Sequence, residues 1–208
     1  SIIFPFFVIF LSINCPGAVT IRAVGLVGDM TLTSRQVLMS ALLEKVSKSD
    51  GSLSLSGFDE SSAEFEEWLS ETLFEVVVEK EAENFSVAQV KEDEIMDQIE
   101  KLNPTIKNNS EWNSLEPMPE ELKMIIIRKL RVKKFVKFKT ESLAPVVTDQ
   151  DVKEYYVRNR QKFGDSDFEG QKDSIRSFLK KEKQDMRLKE WFEQLNAKYR
   201  IRRLQKRG

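Results

Sequence analysis

The strand-like stretch near the C-terminus constrains the fold of this chain more than any other feature. Tyr199-Arg200-Ile201-Arg202 alternates like a strand after a long succession of helical patterns. A strand needs a neighbour for its backbone N–H and C=O groups. The candidate lies at the opposite end: Val19 to Gly28 is β-branched and loosely alternating, Gly28-Asp29 is a turn signal, and Met30-Thr31-Leu32-Thr33 resumes as a second short strand. The expected fold is therefore mainly α with a small β-sheet, its N-terminal hairpin paired with the C-terminal strand.

Five or six helices fill the space between. Thr33 or Ser34 caps the first, where Val37, Leu38, Ala41, Leu42 and Val46 recur at three and four residues. Ser47 to Ser62 reads as a loop. A long helix is predicted from Ser62 to about Phe85, with an apolar stripe through Phe65, Trp68, Leu69, Leu73, Val76 and Val77 and an opposite face of Glu that reads as solvated. A shorter helix is expected to stop before Pro104, and Thr105 to Pro117 to be polar and irregular. Pro119 opens a helix to about Leu143 whose basic side, Arg128 to Lys139, complements the acidic helix. Thr148-Asp149-Gln150-Asp151 reads as a capping box for a helix through Tyr155 and Tyr156, and a last helix runs from about Glu169 to Lys198.

The 208 residues suit one domain or two small ones. The net charge of −1 conceals a segregation: Lys48 to Glu100 holds 16 acidic and 3 basic residues, Glu169 to Gly208 holds 13 basic and 6 acidic. Such segments either face one another or are solvated. The chain has no histidine and one cysteine, Cys15, which removes Ser-His-Asp and Cys-His catalysis, His-ligated zinc and structural disulfides. No Gly-rich phosphate loop is present, so no nucleotide, metal or other cofactor is expected. Ser1 to Ile13 is uncharged and apolar, and Cys15-Pro16-Gly17-Ala18 follows, the pattern of a secretory signal peptide over residues 1–18 cleaved after Ala18. Lipidation at Cys15 and an uncleaved anchor are the alternatives. Residues 19–208 then form one exported domain with no membrane span of its own.

The order of elements resembles the SurA-like periplasmic chaperones. Ala23 to Asp29 with Thr31 to Val37 resembles their entry hairpin and first helix, and Glu71 to Val87 their long helix with its alanine-ended turn. Val147-Thr148-Asp149-Gln150-Asp151-Val152 through Tyr155-Tyr156, Asn159 and Phe163 resembles the segment preceding their parvulin domains. Ile175 to Leu179 and Trp191 to Ile201 resemble the closing helix and strand. In that family, parvulin domains of about ninety residues sit between the Tyr-Tyr helix and the closing helix; here only Gly164-Asp165-Ser166-Asp167 fills the place. The resemblance thus implies the chaperone module alone, without prolyl isomerase activity.

The expected function is an ATP-independent periplasmic holdase that keeps unfolded envelope or outer-membrane polypeptides soluble. Such work needs an apolar cradle and a charged rim, and Trp112, Met118, Met124, Phe135 and Phe138 are the cradle candidates. The alternative is a non-catalytic assembly subunit of the cell envelope dedicated to one partner. Binding of nucleic acid or lipid through Arg200, Arg202, Arg203, Lys206 and Arg207 is a third reading, and a secretory signal argues against nucleic acid. An enzyme built on Asp165 and Asp167 is the weakest.

Overall fold

A computed structural model describes residues 21–48 and 60–204. The expected signal peptide, its cleavage after Ala18, Cys15, Lys206 and Arg207 lie outside the described residues. The hairpin is present: β1 (Ala23–Val27) pairs with β2 (Met30–Thr33) across a turn in which Gly28 takes a φ of 58°, the left-handed region that glycine enters without strain. β3 (Arg202–Arg203) lies antiparallel on the other side of β1, so the sheet order is β2-β1-β3. Gly28 N–H donates to Tyr199 O at 2.9 Å and Leu204 N–H to Val24 O at 2.8 Å, extending the join beyond the paired residues. The strand starts later than Tyr199 because Arg200 adopts left-handed backbone, φ 50°, to end the preceding helix. Gly25 serves a different need: a Cβ there would lie 2.8 Å from Leu73 Cδ2, so glycine lets the sheet approach the long helix behind it.

Two cores share the helices. In the first, β1 and α2 (Ala63–Ala82) pack with α5 (Pro119–Ser142) and the C-terminal half of α7 (Phe168–Tyr199) through Val24, Leu69, Leu73, Val76, Phe135, Trp191 and Leu195. In the second, α1 (Ser34–Lys48) sets Leu38, Met39 and Leu42 against α3 (Glu92–Ile106) and the first half of α5. Ser62 caps α2, its hydroxyl accepting from Phe65 N at 3.1 Å. Arg35 ties the start of α1 to the start of α5, donating to Leu115 O at 2.7 Å and Glu116 O at 2.8 Å and forking onto Glu121.

Part of the acidic face of α2 departs from expectation: Glu64, Glu66, Glu67 and Glu71 are exposed as expected, whereas Glu75, Glu79 and Glu81 are not. Glu75 pairs with Lys129 at 2.6 Å, Glu79 with Arg128 at 2.8 Å and Arg131 at 3.1 Å, and Glu81 with Lys198 at 2.5 Å. These glutamates are largely buried, not solvated, because α5 and α7 bring the basic segments over them. The complementarity read between the acidic helix and Arg128 to Lys139 is thus a set of direct pairs.

Two boundaries also differ. α3 continues through Pro104 to Ile106, because its last turn carries Leu102 and Ile106 into the second core; the proline removes only one backbone bond near the end. The stretch read as irregular contains α4 (Ser110–Ser114), capped by Asn109, whose side chain accepts from Trp112 N at 2.6 Å. The capping box at Thr148 and Asp151 is present and starts α6 (Asp149–Arg158). α6 packs on the N-terminal half of α7 around a third cluster of Val152, Ile175 and Leu179, sealed by Tyr155, Tyr156 and Phe163. A 3-10 turn, Arg160–Phe163, and the Gly164–Asp167 link join the two helices, and Asp167 caps α7 by accepting from Gly170 N at 2.9 Å.

Because the two ends share one sheet, deleting residues 199–208 removes backbone partners of β1. Hydrogen exchange at residues 23–28 is expected to quicken in the truncated chain, the Gly28 amide most. Unchanged protection there contradicts the pairing.

Candidate functional site

The structure divides the five expected cradle residues. Phe135 is 0% exposed, its ring centroid 4.9 Å from Phe85 and 5.9 Å from Trp191, and Trp112 is 5% exposed in the second core. Neither has surface to offer a client while the chain is folded. Phe138 is half-buried beside Phe85 and Phe135. Met118 and Met124 are 58% and 57% exposed at the start of α5. The five therefore do not form one cradle: α5 carries apolar residues on more than one side, and the Phe135 side is spent on the core.

A different concavity has the required character. An open cleft of about 700 Å³ lies between the end of α1, the middle of α2, α3 and α5 from Ile126 to Lys137. Leu43, Leu102, Ile126 and Val132 form its buried walls, and Phe74, Leu130 and Val136 are half-buried at its sides. Phe74 is held by an edge-on contact with Phe192 of α7, ring centroids 4.7 Å apart. Sequence periodicity missed this site because it does not show that the Ile126 and Leu130 side of α5, which points away from Phe135, borders an open cleft. The signal available was an apolar arc on α5 too wide for one neighbour.

The polar groups of the cleft are arranged as a chain. Lys48 Nζ lies 3.0 Å from Glu44 Oε1, Lys129 Nζ bridges Glu44 at 3.0 Å and Glu75 at 2.6 Å, and Ser40 Oγ donates to Glu75 Oε2 at 3.0 Å. Burial opposes ionisation of Glu44, but Lys129 and Lys48 outweigh it and hold its carboxyl below the usual range. The acids are thereby neutralised within the wall, while Lys133 and Lys137 stand exposed at the rim. Such a surface can shield apolar side chains in a volume typical of ligand sites.

Among the remaining candidates, Arg203 and Asp167 have structural partners. Arg203 reaches Ser70 Oγ at 2.8 Å and Glu66 at 3.4 Å; Arg200 and Arg202 border a shallow hollow beside Gly28 and Asp29. Asp167 is a helix cap. Among the described residues, no group of three or more His, Cys, Asp and Glu side chains could hold a metal ion, and no helix is long and apolar enough to cross a membrane.

Comparison with known protein families, with curated proteins and with solved structures gives no match to this chain.

Lys129 is the hinge of the ionic chain, and Lys129→Met leaves two carboxylates facing each other. Stability at pH 7 is expected to fall by about 1–3 kcal/mol. A carboxylate held below its ordinary value stabilises the fold above the unfolded value of about 4.3 and loses that contribution as pH drops through the folded value. Urea titrations should therefore show a smaller difference between pH 7 and pH 3 in Lys129→Met than in the parent. An equal difference in both proteins contradicts the assignment.

Proposed function

We propose that this chain is an ATP-independent holdase of the cell envelope, which keeps unfolded polypeptides soluble by shielding their apolar side chains, without prolyl isomerase activity. The observation that carries the reading is the cleft: open, walled by side chains from α1, α2, α3 and α5, and ringed by charge. A holdase needs that combination, since burial at about 25 cal/mol per Å² supplies reversible affinity and a charged rim keeps the complex soluble. Met118 and Met124, exposed on α5, add adaptable side chains of the kind that suits varied partners.

The resemblance to SurA-like chaperones points the same way. In this chain the position where that family inserts its parvulin domains is the Gly164–Asp167 link, which passes directly from the turn after α6 into α7. Placement in the periplasm rests on the apolar segment Ser1 to Ile13 read as a signal peptide. Unfolded envelope proteins, outer-membrane proteins among them, are the clients of this reading.

The chain from Val19 onward should suppress aggregation of an unfolded β-barrel protein at near-stoichiometric amounts, and of unrelated unfolded proteins as well. The double variant Phe74→Asp with Leu130→Asp should weaken holding about tenfold or more, while Arg202→Gln with Arg203→Gln leaves it within about twofold, both checked for helicity by circular dichroism. Suppression confined to one protein favours the dedicated assembly subunit; no suppression, or the reverse ranking of variants, overturns the proposal. In a separate assay, X-Pro isomerisation in a peptide should proceed at its uncatalysed rate. A catalysed rate proportional to chain concentration contradicts the non-catalytic reading.

A further inference from the structure

We infer that the cleft selects unfolded segments whose apolar residues are flanked by carboxylates, an inference that rests on the holdase reading and names its preferred clients. Along α5 the residues lining the cleft step from Ile126 and Leu130 to Lys133 and Lys137, spacings of three and four that keep all four on one helix face. Lys129 lies beside Ile126 and Leu130 but is spent on Glu44 and Glu75, so the free positive charge of that wall lies toward Lys133 and Lys137, beside Val132 and Val136.

The balance of charge fixes the sign of the partner. Four lysines and two glutamates line the cleft. Both glutamates are engaged inside it: Glu44 with Lys48 and Lys129, Glu75 with Lys129 and Ser40. Lys48 also lies in the field of Glu67 and Glu71. The uncompensated charge is therefore at Lys133 and Lys137, both exposed and, among the described residues, without a carboxylate in ion-pair contact.

An occupant must match both the apolar wall and this charge. The buried polar groups of the cleft are already bonded to one another, so a client's backbone N–H and C=O groups stay at the mouth in water while its side chains enter. A neutral apolar segment covers the apolar wall and leaves the lysines unused. A basic segment meets like charge. A segment with Asp or Glu beside its apolar residues gains two exposed ion pairs, together about three- to tenfold in affinity.

The test is calorimetric titration of the whole chain with three synthetic peptides that share one Leu-, Val- and Phe-rich core and end in two Glu, two Gln or two Lys. The expected order of affinity is Glu, then Gln, then Lys, with the first step about three- to tenfold and shrinking as salt is raised. In the variant Lys133→Glu with Lys137→Glu the order should reverse, and in Lys133→Gln with Lys137→Gln the preference should vanish; both sites are exposed, and an unchanged Tm verifies the fold. Equal affinities for the three peptides overturn the selectivity and leave the holdase reading standing. An order that survives charge reversal places selection elsewhere and also overturns it. Absence of binding by every peptide and by unfolded protein overturns both.

Discussion

α2 carries two demands that the rest of the molecule has to meet together. One side presents Leu69, Leu73, Val76 and Val77, which must leave water. Another presents Glu75, Glu79 and Glu81, which lose hydration when α5 and α7 close over them. A neighbour that is only apolar would bury those carboxylates unpaired, at a cost of several kcal/mol. α5 and α7 resolve this by bringing Lys129, Arg128, Arg131 and Lys198 alongside their own apolar positions. The ion pairs add little net stability in themselves, but they leave none of these three carboxylates buried without a partner. The cleft follows from that packing, since Lys129 both satisfies Glu75 and forms part of the wall.

α7 connects two regions. Its 32 residues span about 48 Å at 1.5 Å per residue. The C-terminal half supplies Trp191 and Leu195 to the core beneath the sheet, and the N-terminal half supplies Ile175 and Leu179 to the cluster under α6. Tyr156 closes that cluster, its hydroxyl donating to Ser166 O at 2.7 Å. The α6–α7 pair thus has its own small core. That core is built from residues of the two helices and their link, with Val147 from just before α6.

Much of this was legible in the sequence, for physical reasons that vary with the element. The join between the chain ends could be deduced because a terminal strand must find an edge, and only one hairpin was available. The Thr148 and Asp151 capping box was legible because its bonds span three residues and depend on no distant contact. Pro104 misled because a local rule was outweighed by burial of Ile106 in the second core. α4 was missed because five residues show no period, although Asn109 before Trp112 was its capping signal. Phe135 was assigned to a client surface because hydrophobicity alone does not say which partner covers a residue. Here Phe85, Phe138 and Trp191 cover it. The cleft, assembled from α1, α2, α3 and α5, depends on tertiary packing that no single helix pattern reveals.

The claim that clients occupy this cleft can be tested by site-specific photocrosslinking. A photoreactive residue at Gln98, on the α3 side of the cleft, and another at Glu193, exposed on α7, report on two separate surfaces. With an unfolded β-barrel protein present, position 98 should capture it strongly and position 193 only weakly. Equal capture at both positions, or capture at 193 alone, would contradict the account.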